Sequence, residues 1–189
     1  MKYEPLVPDT YFHIYNRGNN KEDIFKEERN YKYFLSLLEK YCNDICEVYA
    51  YCLLKNHFHL VIKTNTDVEG RLISQKFSNM FNTYAKAINK AYDRNGSLFK
   101  DRFSRKKIDN EIYLKQLIIY VHLNPEHHRM ASDFRAYPFS SYQSFLSSKH
   151  SKLSREFILS LFGDISNFEY AHLNGKVKIE ERYTLELIS

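Results

Sequence analysis

The chain has 189 residues, 43% hydrophobic and 27% charged, the proportions of a globular domain long enough to bury a proper core. With five glycines and no Gly-rich phosphate loop it gives no support to nucleotide hydrolysis, and no run approaches the roughly 18 apolar residues of a membrane span. The net charge of +5 is concentrated: between Arg94 and Lys107 six basic residues stand against the single acidic Asp101, an excess equal to that of the whole chain. A polyanion is the implied partner, nucleic acid first.

In chain order, Thr10 to Asn16 alternates Phe12 and Ile14 with Tyr11, His13 and Tyr15, a strand pattern that ends in the turn Arg17-Gly18-Asn19-Asn20. From Glu27 to Cys42 the residues Tyr31, Phe34, Leu35, Leu38 and Tyr41 fall at helical spacing. Residues 46–53 return to β character, and Leu54-Lys55-Asn56 turns the chain into a second strand, His57–Ile62, so the two read as a hairpin. A long helix over about 68–92 follows, with Ile73, Phe77, Met80, Tyr84, Ile88 and Ala91 three or four apart. Asn95-Gly96 breaks it, and Leu98 to Ile108 reads as an extended stretch that carries the basic residues. Residues 111–124 are helical again, with Ile112, Leu117, Ile118, Val121 and Leu123 expected inside and Pro125 expected to end the helix.

The order β-α-β-β-α-β and then a helix is that of an α+β, ferredoxin-like or RRM-like fold, in which the first and third strands form the middle of an antiparallel sheet. The expected main domain is residues 1–146, with 147–189 as a helical extension. In the serine-rich stretch 140–154 Tyr142 and Phe145 are expected to anchor the chain against the body, and Arg155–Phe162 can form a short helix. The three cysteines, Cys42, Cys46 and Cys52, complete no zinc cluster and read as free core thiols of a reducing compartment. The N-terminus has no apolar leader, so a cytoplasmic protein is expected.

Chemistry centres on Asn56-His57-Phe58-His59-Leu60. Residues two apart on a strand share a face, so His57 and His59 project together, ready as two ligands for a divalent metal. They are equally compatible with plain polar residues on a wet sheet face. On the last core helix Gln116, Tyr120 and Asn124 are four apart and form one polar stripe.

Jointly these segments resemble the HUH single-tyrosine transposases, the insertion-sequence and REP-associated tyrosine transposases among them. The resemblance covers about residues 10–146. It rests on His13-Ile14-Tyr15-Asn16-Arg17-Gly18-Asn19, Lys55-Asn56-His57-Phe58-His59-Leu60, Gly96-Ser97-Leu98-Phe99-Lys100-Asp101-Arg102-Phe103 and Tyr120-Val121-His122-Leu123-Asn124-Pro125. The family often has proline where Lys55 stands and glycine where Asp101 stands. Its usual Asn-Pro-Val-Arg-Ala-Gly run is replaced after Pro125 by Glu126-His127-His128-Arg129.

What the resemblance implies is a metal-dependent transesterase acting on single-stranded or hairpin DNA through a 5′-phosphotyrosine link. Tyr120 would be the nucleophile, and His57, His59 and Asn124 the ligands of Mg²⁺ or Mn²⁺. Arg17, Lys100, Arg102, Arg105, Lys106 and Lys107 are the expected DNA contacts. Pairing of two copies, with Tyr120 serving its own or a partner's site, is left open. The alternative from another class is a non-catalytic or domesticated binder of single-stranded or hairpin DNA, stacking bases on Phe and Tyr; it has no need of His57, His59 and Tyr120 together.

Overall fold

Alternation and helical spacing are realised in the expected order in the computed structural model, which describes residues 4–175. Strand β1 (Tyr11–Arg17) is followed by helix α1 (Glu28–Cys42), the hairpin β2 (Cys46–Leu54) and β3 (His57–Thr64), helix α2 (Gly70–Ala91), strand β4 (Ser104–Ile108) and helix α3 (Glu111–His127). Three short helices follow: α4 (Tyr142–Leu146), α5 (Arg155–Phe162) and α6 (Ile165–Asn174). The four strands form one antiparallel sheet in the order β2-β3-β1-β4, so β3 and β1 are central as expected. Leu54 pairs with His57 across the two-residue turn Lys55-Asn56. Residues 176–189, the end of the expected extension, lie outside the described residues.

Both faces of the sheet are covered. Phe12, Ile14, Phe58, Leu60 and Ile62 pack with Phe34 and Leu38 of α1 and with Phe77, Met80 and Tyr84 of α2. Burial of each such side chain contributes roughly 1.5–3 kcal/mol. The opposite face, through Ala50, Cys52, Leu54 and Val61, packs on Leu114, Leu117, Ile118 and Val121 of α3, with Phe145, Ile158 and Phe168 from the C-terminal helices behind them. The cysteines are free and buried, as expected.

Three local expectations need correction. The stretch from Leu98 is a loop tied to the β1 end by Asn19 N–Leu98 O and Lys100 N–Arg17 O bonds of 2.9 and 3.0 Å, and the strand begins only at Ser104. Ile112 is exposed, and Gln116 is exposed too, so the stripe is buried only at Tyr120 and Asn124. Pro125 lies inside α3. The helix runs on to His127 and is closed beyond it by Arg129, which takes the left-handed conformation (φ 54°) while Met130 N bonds to Pro125 O at 2.7 Å and Arg129 N to Glu126 O at 2.9 Å. That paired closure satisfies the last carbonyls and outweighs the local bias of the proline against helix at Asn124.

Behind α3 runs a buried polar chain. His172 Nδ1 donates to Phe168 O at 2.7 Å, which leaves its Nε2 to accept from His122 Nδ1 at 2.8 Å. His122 Nε2 in turn accepts from Ser141 Oγ at 2.8 Å, and Ser141 Oγ accepts from Tyr51 N at 2.9 Å. The two links in which a ring nitrogen accepts need neutral imidazoles. Burial holds His172 at about 4 and His122 well below the ordinary value of 6.5. The unfolded chain therefore binds the extra protons first: the contribution is complete above pH 6.5 and is lost as pH falls toward about 4. His172 alone should cost about 2 kcal/mol of stability at pH 5 relative to pH 7.5. Urea midpoints at the two pH values measure it; an unchanged midpoint would contradict a neutral chain.

Candidate active site and DNA-binding surface

On β3, His57 and His59 share the face turned to α3, and the register sets Tyr15 of β1 opposite His59 and Arg17 opposite His57. His13, two residues before Tyr15, joins the same face. His59 is fully buried and His57 6% exposed, so neither stands on a wet surface. Each has one ring nitrogen engaged: His57 Nδ1 donates to Asn56 Oδ1 at 2.7 Å, and His59 Nδ1 meets His13 Nε2 at 2.8 Å. The other nitrogen of each, Nε2, is buried without a hydrogen-bond partner.

Helix α3 supplies the third and fourth members. Tyr120 and Asn124 are one turn apart, and the Tyr120 ring packs edge-on against His59 with centroids 5.6 Å apart. Asn124 is fully buried and donates from Nδ2 to Tyr120 O at 2.8 Å, which aims Oδ1 the other way, without a partner. Three buried polar atoms without partners, two imidazole nitrogens and one amide oxygen, thus lie in one cluster. An unsatisfied buried polar atom costs about 1–3 kcal/mol, so three together call for an occupant.

The electrostatics agree. Burial pushes His57 down to about 3, with the neighbouring His128 adding to the effect and the Asn124 amide offsetting part of it. Burial also drives His59 well below its ordinary value, and both rings are therefore neutral at pH 7. Tyr120 is pushed up to about 12, again by burial and again partly offset by Asn124. Among the described residues no three His, Cys, Asp or Glu side chains converge as a metal site. The present set takes its third donor from an amide oxygen, and two imidazoles with one oxygen suit a divalent cation that keeps open positions.

Two residues without a role in the sequence reading belong here. His13 backs His59, and His128 packs against His57 with ring centroids 4.5 Å apart. For His13 the signal was present, since its parity on a central strand matches that of Tyr15. His128 is one turn beyond Asn124, but an end at Pro125 concealed that spacing.

The basic residues do not form one strip. In β4, Lys106 pairs with His13 and Arg105 with Ile14, so Lys106 shares the face of the histidine pair with Arg17 while Arg105 and Lys107 point to the α2 side. Arg105 reaches Ser74 of α2 at 3.3 Å and lies over the Phe103 ring. It borders a cavity of about 580 Å³ whose polar lining includes Ser74, Ser78, Asn82, Lys86 and Arg102. Lys100 and Arg102 are exposed on the preceding loop, whereas Arg94 is paired with Glu22. No helix among the described residues is long and apolar enough to cross a membrane.

The family model described as "Transposase IS200 like" matches residues 6–124, from just before β1 to Asn124. The chain belongs to the IS200-like family of HUH single-tyrosine transposases. Its fold agrees: a solved structure of a REP-associated tyrosine transposase bound to a REP hairpin superposes with a TM-score of 0.65 at 17% identity, covering 78% of this chain and 85% of that one. No curated protein sequence matches. In this IS200-like transposase the family match takes in β1, the histidine pair, Tyr120 and Asn124, while α4, α5 and α6 lie beyond it.

Proposed function

We propose that this transposase cleaves and rejoins single-stranded DNA next to a hairpin, with Tyr120 as the nucleophile. The observation that carries this is the cluster of partnerless lone pairs on His57, His59 and Asn124 beside the Tyr120 phenol. The phenolic oxygen forms a bond to phosphorus as the bond from phosphorus to the 3′ oxygen breaks. The proton given up by the phenol is balanced by the one taken up at the departing 3′ hydroxyl. A 5′-phosphotyrosine remains, and attack on it by another 3′ hydroxyl reverses the step without a nucleotide cofactor.

His57, His59 and Asn124 would hold Mg²⁺ or Mn²⁺, which when bound supplies charge neutralisation at the scissile phosphate. Packing of the Tyr120 ring on His59 holds the phenol beside the cluster, and Asn124, held by its bond to Tyr120 O, links nucleophile and ligand set on one helix turn. Arg17 and Lys106 on the catalytic face suit the strand being cut, and the Arg102–Arg105 side suits the flanking DNA. A hairpin substrate is supported by the complex in which the related fold was solved.

Incubation of a 3′-labelled hairpin carrying single-stranded flanks with the protein and Mn²⁺, followed by denaturing electrophoresis, tests the reading. The expected products are a shortened strand with a free 3′ end and a protein-linked fragment. Tight binding with no cleavage would establish the non-catalytic binder instead. Binding should also weaken with salt: five phosphate contacts on single strands give a slope of log K against log salt of about −3.5. Replacing Arg105, Lys106 and Lys107 together by Ala should bring it to about −1.4. A slope near zero for the intact protein would remove these side chains from the DNA interface.

A further inference from the structure

We infer that His13 is a positioning residue: it fixes the tautomer and ring orientation of His59 so that the His59 Nε2 lone pair faces the metal site. The inference rests on the proposed metal reading and extends it to a residue of another strand.

His13 is 3% exposed and His59 fully buried, and their rings lie nearly coplanar, edge to edge, with centroids 5.0 Å apart and 19° between planes. Two neutral imidazoles that approach nitrogen to nitrogen at 2.8 Å need one N–H and one lone pair between them. Only two arrangements exist. In one, His13 Nε2 carries the hydrogen and donates, which forces the His59 hydrogen onto Nε2, a buried atom with no acceptor bonded to it. In the other, His59 Nδ1 donates to His13 Nε2, the His13 hydrogen sits on Nδ1, and His59 Nε2 is a bare lone pair. The second arrangement matches the neighbouring members: His57 Nδ1 is tied up by Asn56 Oδ1, and Asn124 Nδ2 is tied up by Tyr120 O. Each remaining atom is then an acceptor, which is what a cation takes and an imidazole N–H does not.

The two histidines therefore have matched supports of different origin. Asn56 orients His57 from the adjacent position in the chain, whereas His13 orients His59 from 46 residues away. Only the pairing of β1 with β3 brings His13 there, and Tyr15 packs on its ring at 4.7 Å to hold it. Outer-shell hydrogen-bond partners of a ligand histidine typically control metal affinity by about 10–100-fold.

The test uses the full-length protein, Mn²⁺ alone as the probe, and two variants. His13→Phe keeps a planar ring and removes the acceptor; His13→Gln restores an acceptor oxygen. Electron paramagnetic resonance of free Mn²⁺ should show the His13→Phe dissociation constant raised about 10–100-fold, with hairpin affinity in metal-free buffer retained and with most of the Mn²⁺ affinity returned by His13→Gln. Independently, ¹⁵N spectra of the metal-free wild type should show His59 protonated at Nδ1. Wild-type Mn²⁺ affinity in His13→Phe, or a His59 hydrogen on Nε2, overturns the inference and leaves the metal reading standing. A wild type with no affinity for Mn²⁺ overturns both. Should His13→Phe fail to fold, the wild-type ¹⁵N spectrum decides.

Discussion

Tyr120→Phe should bind hairpin DNA as the wild type does and cut none of it. The change removes one oxygen from a ring that stays packed on His59, so stability should shift by no more than about 1 kcal/mol. Loss of a nucleophile that acts within a coupled unit removes nearly all of the chemistry, here more than about 10³-fold in cleavage rate. Tyr113 and Tyr142 should not substitute: Tyr142 is buried behind α3 among Phe134 and Phe168, and Tyr113 sits two turns earlier on the helix. With a suicide hairpin, intact mass should rise by the 3′ fragment in the wild type alone, and peptide mapping should place it on Tyr120. An adduct elsewhere, or efficient cutting by the Phe variant, would show another nucleophile at work.

The second large effect concerns the ligand pair. His57→Ala and His59→Ala should each lower cleavage by more than about 100-fold, since changes one shell further out already cost 10–100-fold. Their stability costs should differ. His59→Ala strands His13 Nε2 in the interior, worth about 1–3 kcal/mol, whereas His57→Ala releases only Asn56, which is half-exposed and can turn to water. Cleavage assays in Mg²⁺ and Mn²⁺ buffers, paired with urea melts, separate the two effects. Full activity in either variant would remove that histidine from the ligand set.

Much of the architecture was legible because its signals are local. Alternation in Tyr11–Asn16, three-and-four spacing in α2 and the two-residue turn at Lys55-Asn56 each report on a few neighbouring residues, and each is borne out. Strand parity placed His57 and His59 together, and helical spacing placed Tyr120 beside Asn124. The failures share a cause. Whether Pro125 ends a helix depended on a closure four residues later at Arg129, and whether Ile112 is buried depended on where α3 crosses the sheet.

The order of elements, the face of each histidine and the one-turn spacing of Tyr120 and Asn124 were thus written into short windows of the chain, where periods of 2 and 3.6 residues are set by backbone geometry. Register and crossing were not, because they arise from pairings between residues tens of positions apart. Only the tertiary structure set His13 against His59, paired β4 with β1 so that Lys106 lies beside His13, and left His57 Nε2, His59 Nε2 and Asn124 Oδ1 without protein partners in one buried place.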